Sequence, residues 1–279
     1  MRRPLLAFLV SAALLATPGA ALAARPDAGG GGTTGIPNSM ASMGDSITKG
    51  FNACGWYVDC PSASWSTGTD TSINSHYNRI LSKNRNINGR NYNDARSGAK
   101  AVDLDGQAAT VVSRNVDYVT VLMGANDACT SGEATMTSVA TFRAQAEAGL
   151  TRLKNGLPNA KIFLASIPDI KRLWFIGKDS SSARNAWSSF GICQSMLANP
   201  QSTLQADVDR RARVQQRVID FNSQLAQVCA LNPNCKFDGN ATFNYQFQFS
   251  QVSSWDYFHP NASGQTALAA TTYAAGFGW

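Results

Sequence analysis

Short apolar runs alternate along this chain with longer segments whose apolar residues return every three or four positions. Residues 116–123, Val-Asp-Tyr-Val-Thr-Val-Leu-Met, are apolar and β-branched and stop at Gly124, the pattern of a strand buried on both faces. Residues 160–167 repeat it and are stopped by Pro168. Residues 39–44 read as a first strand, 91–95 as a weak second, and Lys236 with Phe237 as the opening of a short fifth. Helical periodicity lies between them. It predicts helices over 72–83, with Ile73, Tyr77, Ile80 and Leu81 on one face, over 102–113, and over 137–155 with Gly156 as C-cap. A long helix over 207–229 shows a stripe of Val208, Ala212, Val218/Ile219, Asn222, Leu225/Ala226 and Cys229, and a small-residue helix over 263–275 ends the chain. Strands alternating with helices predict a parallel sheet covered on both faces, with ligands bound beyond the carboxyl ends of its strands.

Polar residues collect at those ends. Ser46, in Gly44-Asp45-Ser46, follows the first strand; Gly98 follows the second; Asn126, in Gly124-Ala125-Asn126-Asp127, follows the third. Asp256 and His259, in Asp256-Tyr257-Phe258-His259-Pro260, follow the last strand candidate. A serine nucleophile needs a base for its proton and a third group to orient that base. The chain has two histidines, and only His259 has a carboxylate three residues before it; His76 falls inside a predicted helix and reads as structural. Ser46 is thus the candidate nucleophile, His259 the base and Asp256 its orienting group. The Ser46 N–H, Gly98 and Asn126 are candidate donors to an oxyanion. Taken singly, Ser46 reads as a helix cap, Gly98 and Asn126 as turn residues, and His259 as a surface histidine before a proline. The surroundings of Ser46 are neither the G-x-S-x-G elbow nor a phosphate-binding loop.

Composition adds a compartment. Residues 1–23 read as a secretory leader, with Arg2 and Arg3, a short apolar stretch and Ala21-Leu22-Ala23 as cleavage site; the fit to twin-arginine export is weak. The Gly-rich stretch 24–37 reads as a flexible arm, which leaves 38–279 as one domain. The formal charge of +6 falls to +4 without Arg2 and Arg3, and no basic run with interleaved aromatics suggests a nucleic-acid partner. Six cysteines in an exported chain imply disulfides, each stabilising by about 2–4 kcal/mol, among 15 connectivities. Cys54 with Cys60 and Cys229 with Cys235 share a short spacing, and closing those loops pairs Cys129 with Cys193. No Cys-x-x-Cys motif and no histidine near a cysteine pair suggest a metal site.

Taken in order, the four blocks at Gly44-Asp45-Ser46, Gly98, Gly124-Ala125-Asn126-Asp127 and Asp256 to Pro260 resemble the SGNH (GDSL-type) hydrolase superfamily over essentially all of 38–279. The resemblance implies a flavodoxin-like three-layer α/β/α sandwich with a central, mostly five-stranded parallel sheet. It implies ester hydrolysis without metal or cofactor. Carried over by position, Ser46, His259 and Asp256 form the triad, and Gly98 and Asn126 complete the oxyanion hole. Trp65-Ser66-Thr67-Gly68-Thr69-Asp70 and Asn126-Asp127-Ala128-Cys129 look like the phospholipase-B-like branch, and secreted actinobacterial lipases are similar in their three-disulfide framework. The stretch 171–205 matches no block.

That stretch, with Leu173, Trp174, Phe175, Ile176, Trp187, Phe190 and Met196, reads either as a cleft wall held by Cys193 or as a covering layer. The alternation Phe243 to Phe249 reads as an acyl-pocket lining or an edge strand. Arg210, Arg213 and Arg217 share a helix face that is solvated or touches anionic lipid headgroups transiently. Two glycosylation sequons, at Asn240 and Asn261, read as coincidence, with Asn261 near the start of the last helix. Asp103 and Asp105 lie on a surface segment and give no glycosidase pair. The expected function is a secreted lipid-ester hydrolase, lipase or phospholipase, with no stable protein partner. A carbohydrate acetylesterase and a secreted binding protein that has lost activity are the alternatives.

Overall fold

The computed structural model describes residues 35–279; the leader assigned to 1–23 lies outside the described residues. Five strands form one parallel sheet in the order β2-β1-β3-β4-β5: β1 Met40–Gly44, β2 Asn91–Asn93, β3 Tyr118–Leu122, β4 Lys161–Leu164 and β5 Cys235–Phe237. The helices are α1 Ser46–Lys49, α2 His76–Leu81, α3 Leu104–Arg114, α4 Ala125–Ala128, α5 Val139–Gly156, α6 Ile170–Gly177, α7 Ser181–Ser189, α8 Gln194–Leu197, α9 Gln205–Ala230, α10 Ala241–Asn244 and α11 Ala262–Ala274. This is the expected α/β sandwich. β1 and β3 are buried along their whole length, which is why no alternation of polar and apolar residues marks them. The chain leaves β1 toward β2 and returns on the other side at β3, so the carboxyl ends of β1 and β3 flank a topological switch point, where such sheets bind ligands.

Several expected elements differ. The helix expected over 72–83 begins only at His76. Asp70 takes the Ser72 N–H and hydroxyl at 2.9 and 2.7 Å, Asn74 is left-handed at φ +51°, and Ser75 caps the helix by accepting the Asn78 N–H. Gly156 is the last residue of α5 rather than its cap. Of the stripe expected on α9, Val218, Asn222, Leu225 and Cys229 are buried, joined by Arg211, Val214, Phe221 and Val228, while Val208, Ala212 and Ile219 are exposed. Near the start of the helix Arg211 takes the core position, donating to the Ser202 carbonyl at 2.7 Å with its guanidinium 4.6 Å over the Trp174 ring. Residues 243–249 form no strand: Phe243 and Asn244 end α10, 245–248 are irregular, and Phe249 opens a 3-10 turn. The stretch 171–205 carries most of α6, all of α7 and α8, and the first residue of α9. Asp169 and Ser180 cap the first two of these helices.

Ile36 and Pro37, placed by composition in the arm, are packed: Pro37 is buried and its carbonyl accepts from Asn84 Nδ2 at 3.0 Å. Three disulfides join Cys54 to Cys60, Cys129 to Cys193 and Cys229 to Cys235. Among the described residues no helix is long and apolar enough to cross a membrane. The arginines of α9 are engaged internally. Arg210 donates to the carbonyls of Gln194, Ser195 and Ala198, Arg213 pairs with Glu133, and Arg217 donates to the Thr137 carbonyl. These contacts tie α9 to its neighbours, while the Arg213 side chain stays largely exposed.

His76 is wholly buried at the start of α2, where its two ring nitrogens meet the Tyr118 and Thr272 hydroxyls at 2.9 and 2.8 Å. Burial, with a smaller push from Arg79, lowers its pKa from 6.5 to about 3. The core therefore holds neutral imidazole joining β3 to α11 through α2, a structural role.

Candidate active site

Three adjacent strand ends supply one edge of the site. After β1, Asp45 turns the chain into α1 by accepting the Ile47 N–H at 2.9 Å, which makes Ser46 the first helical residue. Gln107 of α3 clamps Gly44, accepting its N–H at 2.8 Å and donating to its carbonyl at 2.9 Å, and Gln265 of α11 donates to the Ile47 carbonyl at 2.8 Å. The turn that carries Ser46 is thereby held on both sides.

Gly98, beyond β2, has φ +79°, while a Cβ added there would meet nothing within 4 Å. Backbone conformation, not crowding, calls for glycine at this position. Gly124, beyond β3, needs glycine on both counts: its φ is +125°, and a Cβ would fall 2.5 Å from Ile167 Cδ1 and 2.9 Å from the Phe142 ring. It opens α4, in which Asn126 donates one amide hydrogen to the Ala99 carbonyl at 2.9 Å, leaving the other for the cleft. The Ser46 N–H, in the first turn of α1, has no intrahelical partner.

Asp256 and His259 come from a compact loop between α10 and α11, not directly from a strand end. The Ser253 N–H donates to the His259 carbonyl at 2.8 Å and the Tyr257 N–H to the Ser253 carbonyl at 2.9 Å. Val252 pairs with Pro260 as an isolated antiparallel bridge, and Trp187 of α7 donates to the Tyr257 carbonyl at 2.9 Å. This brings His259 Nε2 to 2.8 Å from Ser46 Oγ and His259 Nδ1 to 2.5 Å from Asp256 Oδ2. An ionised carboxylate only accepts, so Nδ1 carries the proton and Nε2 accepts from the Ser46 hydroxyl. Asp256 Oδ1 accepts the Phe258 and His259 N–H groups at 2.9 and 3.1 Å.

Ser46, Gly98, Asn126, Asp256 and His259 all line one cleft of about 310 Å³. Its other walls have no motif. Phe51 meets the His259 ring edge-on at 4.9 Å, Tyr57 comes from the loop closed by Cys54–Cys60, and Ile192 and Cys193 come from the segment joined to Cys129. Nothing local in the sequence marks Phe51, Gln107 or Asn52, whose Nδ2 donates to Asp256 Oδ2 at 2.7 Å. A second, apolar cavity lies alongside, lined by Ile47, Ala125, Ile170, Leu173, Phe247, Val252 and Phe258 among others. Phe258 borders both spaces. Of the aromatic alternation at 243–249, Phe247 alone reaches this lining.

Two buried carboxyls underlie the cleft. Burial, with a smaller push from Asp127, raises Asp45 to about 7 against the Ile47 N–H and His259, which lower it. Asp127 is raised by burial too, although Thr137 and the Ala101 N–H hydrogen-bond it. Because folding raises the pKa of Asp45, its stabilising contribution is complete below the ordinary 3.8 and is lost as pH rises through about 7. His76 runs the other way: its contribution is complete above 6.5 and is lost as pH falls toward 3. Between pH 3.8 and 6.5 the two slopes oppose each other. Asp45→Asn should remove one of them, so that stability relative to wild type rises with pH by up to about 1.4 kcal/mol per unit across this window. Urea midpoints of both proteins at pH 4, 5, 6 and 7 check it; parallel profiles would contradict the assignment.

A family model described as GDSL-like Lipase/Acylhydrolase matches residues 40–271. No curated protein matches the chain. Among solved structures, the chain is similar to an extracellular lipase from Streptomyces rimosus, at 18% identity and TM-score 0.51 over 85% of this chain and 99% of that one. It is similar to the lipase Lip_vut3 from a goat rumen metagenome, at 14% identity and TM-score 0.52 over 86% and 97%. It is also similar to a family two carbohydrate esterase from Clostridium thermocellum in complex with cellohexaose, at 14% identity and TM-score 0.52 over 85% and 62%. At these identities the structures speak for a common fold, whereas the family match runs from the first strand, through the serine turn and the histidine loop, into the final helix; the chain belongs to the GDSL-like lipase/acylhydrolase family.

Proposed function

We propose that this protein is an exported serine hydrolase that cleaves carboxylic esters of lipids through an acyl-enzyme. The reading is carried by the 2.8 Å contact between Ser46 Oγ and His259 Nε2, with Asp256 Oδ2 on the opposite ring nitrogen. In this scheme Ser46 Oγ attacks the ester carbonyl while His259 Nε2 takes its proton. The resulting oxyanion is met by the N–H groups of Ser46 and Gly98 and by the free amide hydrogen of Asn126. Collapse breaks the bond to the alcohol, which leaves with the proton from His259. Water then attacks the acyl-enzyme by the same route, and Ser46 is regenerated.

A lipid rather than an acetylated substrate is favoured by the apolar cavity that shares Phe258 with the cleft; its lining is almost wholly hydrocarbon, and its volume of about 60 Å³ takes the first carbons of an acyl chain. Export is supported by the leader-like sequence at 1–23 and by three disulfides in the described domain.

Release of 4-nitrophenol from esters of two to twelve carbons tests the substrate class. The expected kcat/KM rises by about tenfold or more from acetate to a medium-chain ester, as a few buried methylenes allow. Strict preference for acetate, with no action on dispersed phospholipid or triacylglycerol, would point to a carbohydrate acetylesterase. No hydrolysis of any ester would leave a binding protein.

A further inference from the structure

Between α1 and the disulfide-closed loop at Cys54–Cys60 lies a buried amide that no catalytic block includes. Asn52 Nδ2 donates to Asp256 Oδ2 at 2.7 Å, the same oxygen that faces His259 Nδ1 at 2.5 Å. We propose that Asn52 is a positioning residue for ester hydrolysis, holding the Asp256 carboxylate in register with the segment that carries Ser46; this rests on Ser46, His259 and Asp256 acting as the triad.

Asp256 has other anchors, and their origin is informative. Its Oδ1 is held by the N–H groups of Phe258 and His259, which belong to its own loop and move with it. Among the described residues, Asn52 is the one group from outside that loop to hydrogen-bond the carboxylate. It also sits close to the nucleophile in the chain: the Phe51 N–H donates to the Ser46 carbonyl at 3.0 Å, and the Asn52 N–H to the Val58 carbonyl at 3.0 Å. Phe51 packs edge-on against the His259 ring at 4.9 Å. One short strap thus touches the base, its orienting carboxylate and the serine turn.

Two features show that the side chain, not the backbone, decides the residue. Asn52 has φ +65°, a conformation that glycine adopts without the steric cost other residues carry. Its Oδ1 is buried without a hydrogen-bond partner, a cost the site accepts while Nδ2 stays on Asp256. Turning the amide over would set its oxygen against the carboxylate, so Asp256 itself fixes the orientation. Strain and an unsatisfied atom gathered at one residue beside a catalytic group are what a positioning role predicts.

The test uses Asn52→Gly and Asn52→Asp in the full chain, with a soluble 4-nitrophenyl ester as substrate. Asn52→Gly keeps the backbone and loses the donor; kcat should fall about 10–100-fold with KM within about twofold, the size of effect a small misplacement produces. Asn52→Asp keeps the shape and sets a second carboxylate against Asp256; kcat should fall further still. A merely structural role predicts the reverse order, with the near-isosteric aspartate closest to wild type and activity following the thermal midpoint. In an Asp256→Asn background, Asn52→Gly should cost less than about twofold, because its effect passes through Asp256. Asn52→Gly within about threefold of wild type, the reverse order, or full additivity with Asp256→Asn would each overturn the proposal. If Asp256→Asn alone retains wild-type activity, the triad reading fails instead.

Discussion

Ser46→Ala is expected to reduce ester hydrolysis by about 10⁵–10⁶-fold in kcat, leaving a folded protein. The hydroxyl has one hydrogen-bond partner among the described residues, His259 Nε2, so its loss breaks no structural contact. The turn itself is held by Asp45, Gln107 and Gln265, all of which remain. Circular dichroism and the thermal midpoint should therefore match wild type. The residual rate should come from water attacking a carbonyl still polarised by the donors at Ser46, Gly98 and Asn126. Removing His259 as well should cost almost nothing more, because nucleophile and base act as one unit. The check is 4-nitrophenyl butyrate hydrolysis by the single and double variants, with wild type diluted to match. A Ser46→Ala rate within tenfold of wild type would mean that another group performs the attack.

The sheet and the strand-end residues could be read from the chain because their signals are local. Buried parallel strands are uninterrupted apolar runs, and the residues just past them are short polar motifs: Gly44-Asp45-Ser46 after β1, Gly124-Ala125-Asn126 after β3. Once those strands are neighbours in a parallel sheet, their carboxyl ends are neighbours too, and convergence of the motifs follows from topology.

What stayed hidden depends on contacts made across long separations or against propensity. Asn52 reaches Asp256 across 204 positions and sits at positive φ, and neither property marks the sequence. Arg211 occupies the core side of α9 because carbonyls and the Trp174 face wait there, a burial that hydrophobic periodicity does not mark. The short helices at 170–197 have nine residues or fewer apiece and depend on tertiary packing, although Asp169 and Ser180 are readable caps. Residues 72–75 fail to extend α2 for a polar reason, since Asp70 captures Ser72 and offers the backbone a turn in place of a helix.

Asp256→Asn is expected to lower kcat by about 10⁴-fold with little change in KM, through a reversed hydrogen bond rather than a lost fold. The new amide has one oxygen and one NH₂ for two sets of donors. Its oxygen is claimed by the Phe258 and His259 N–H groups, which the loop backbone holds at the present Oδ1. The NH₂ then takes the place of Oδ2, where Asn52 Nδ2 and the His259 Nδ1 proton both point. Two donors cannot face a third, so the imidazole moves its proton to Nε2 and accepts at Nδ1. In that tautomer Nε2 donates toward Ser46 Oγ and cannot take its proton, although every heavy atom stays near its place. Steady-state kinetics should show the loss in kcat, and a proton spectrum of the imidazole should show the N–H resonance transferred from Nδ1 to Nε2. An Asp256→Asn enzyme within tenfold of wild type, with its Nδ1 proton retained, would remove the carboxylate from the reaction and leave Ser46 and His259 to act as a pair.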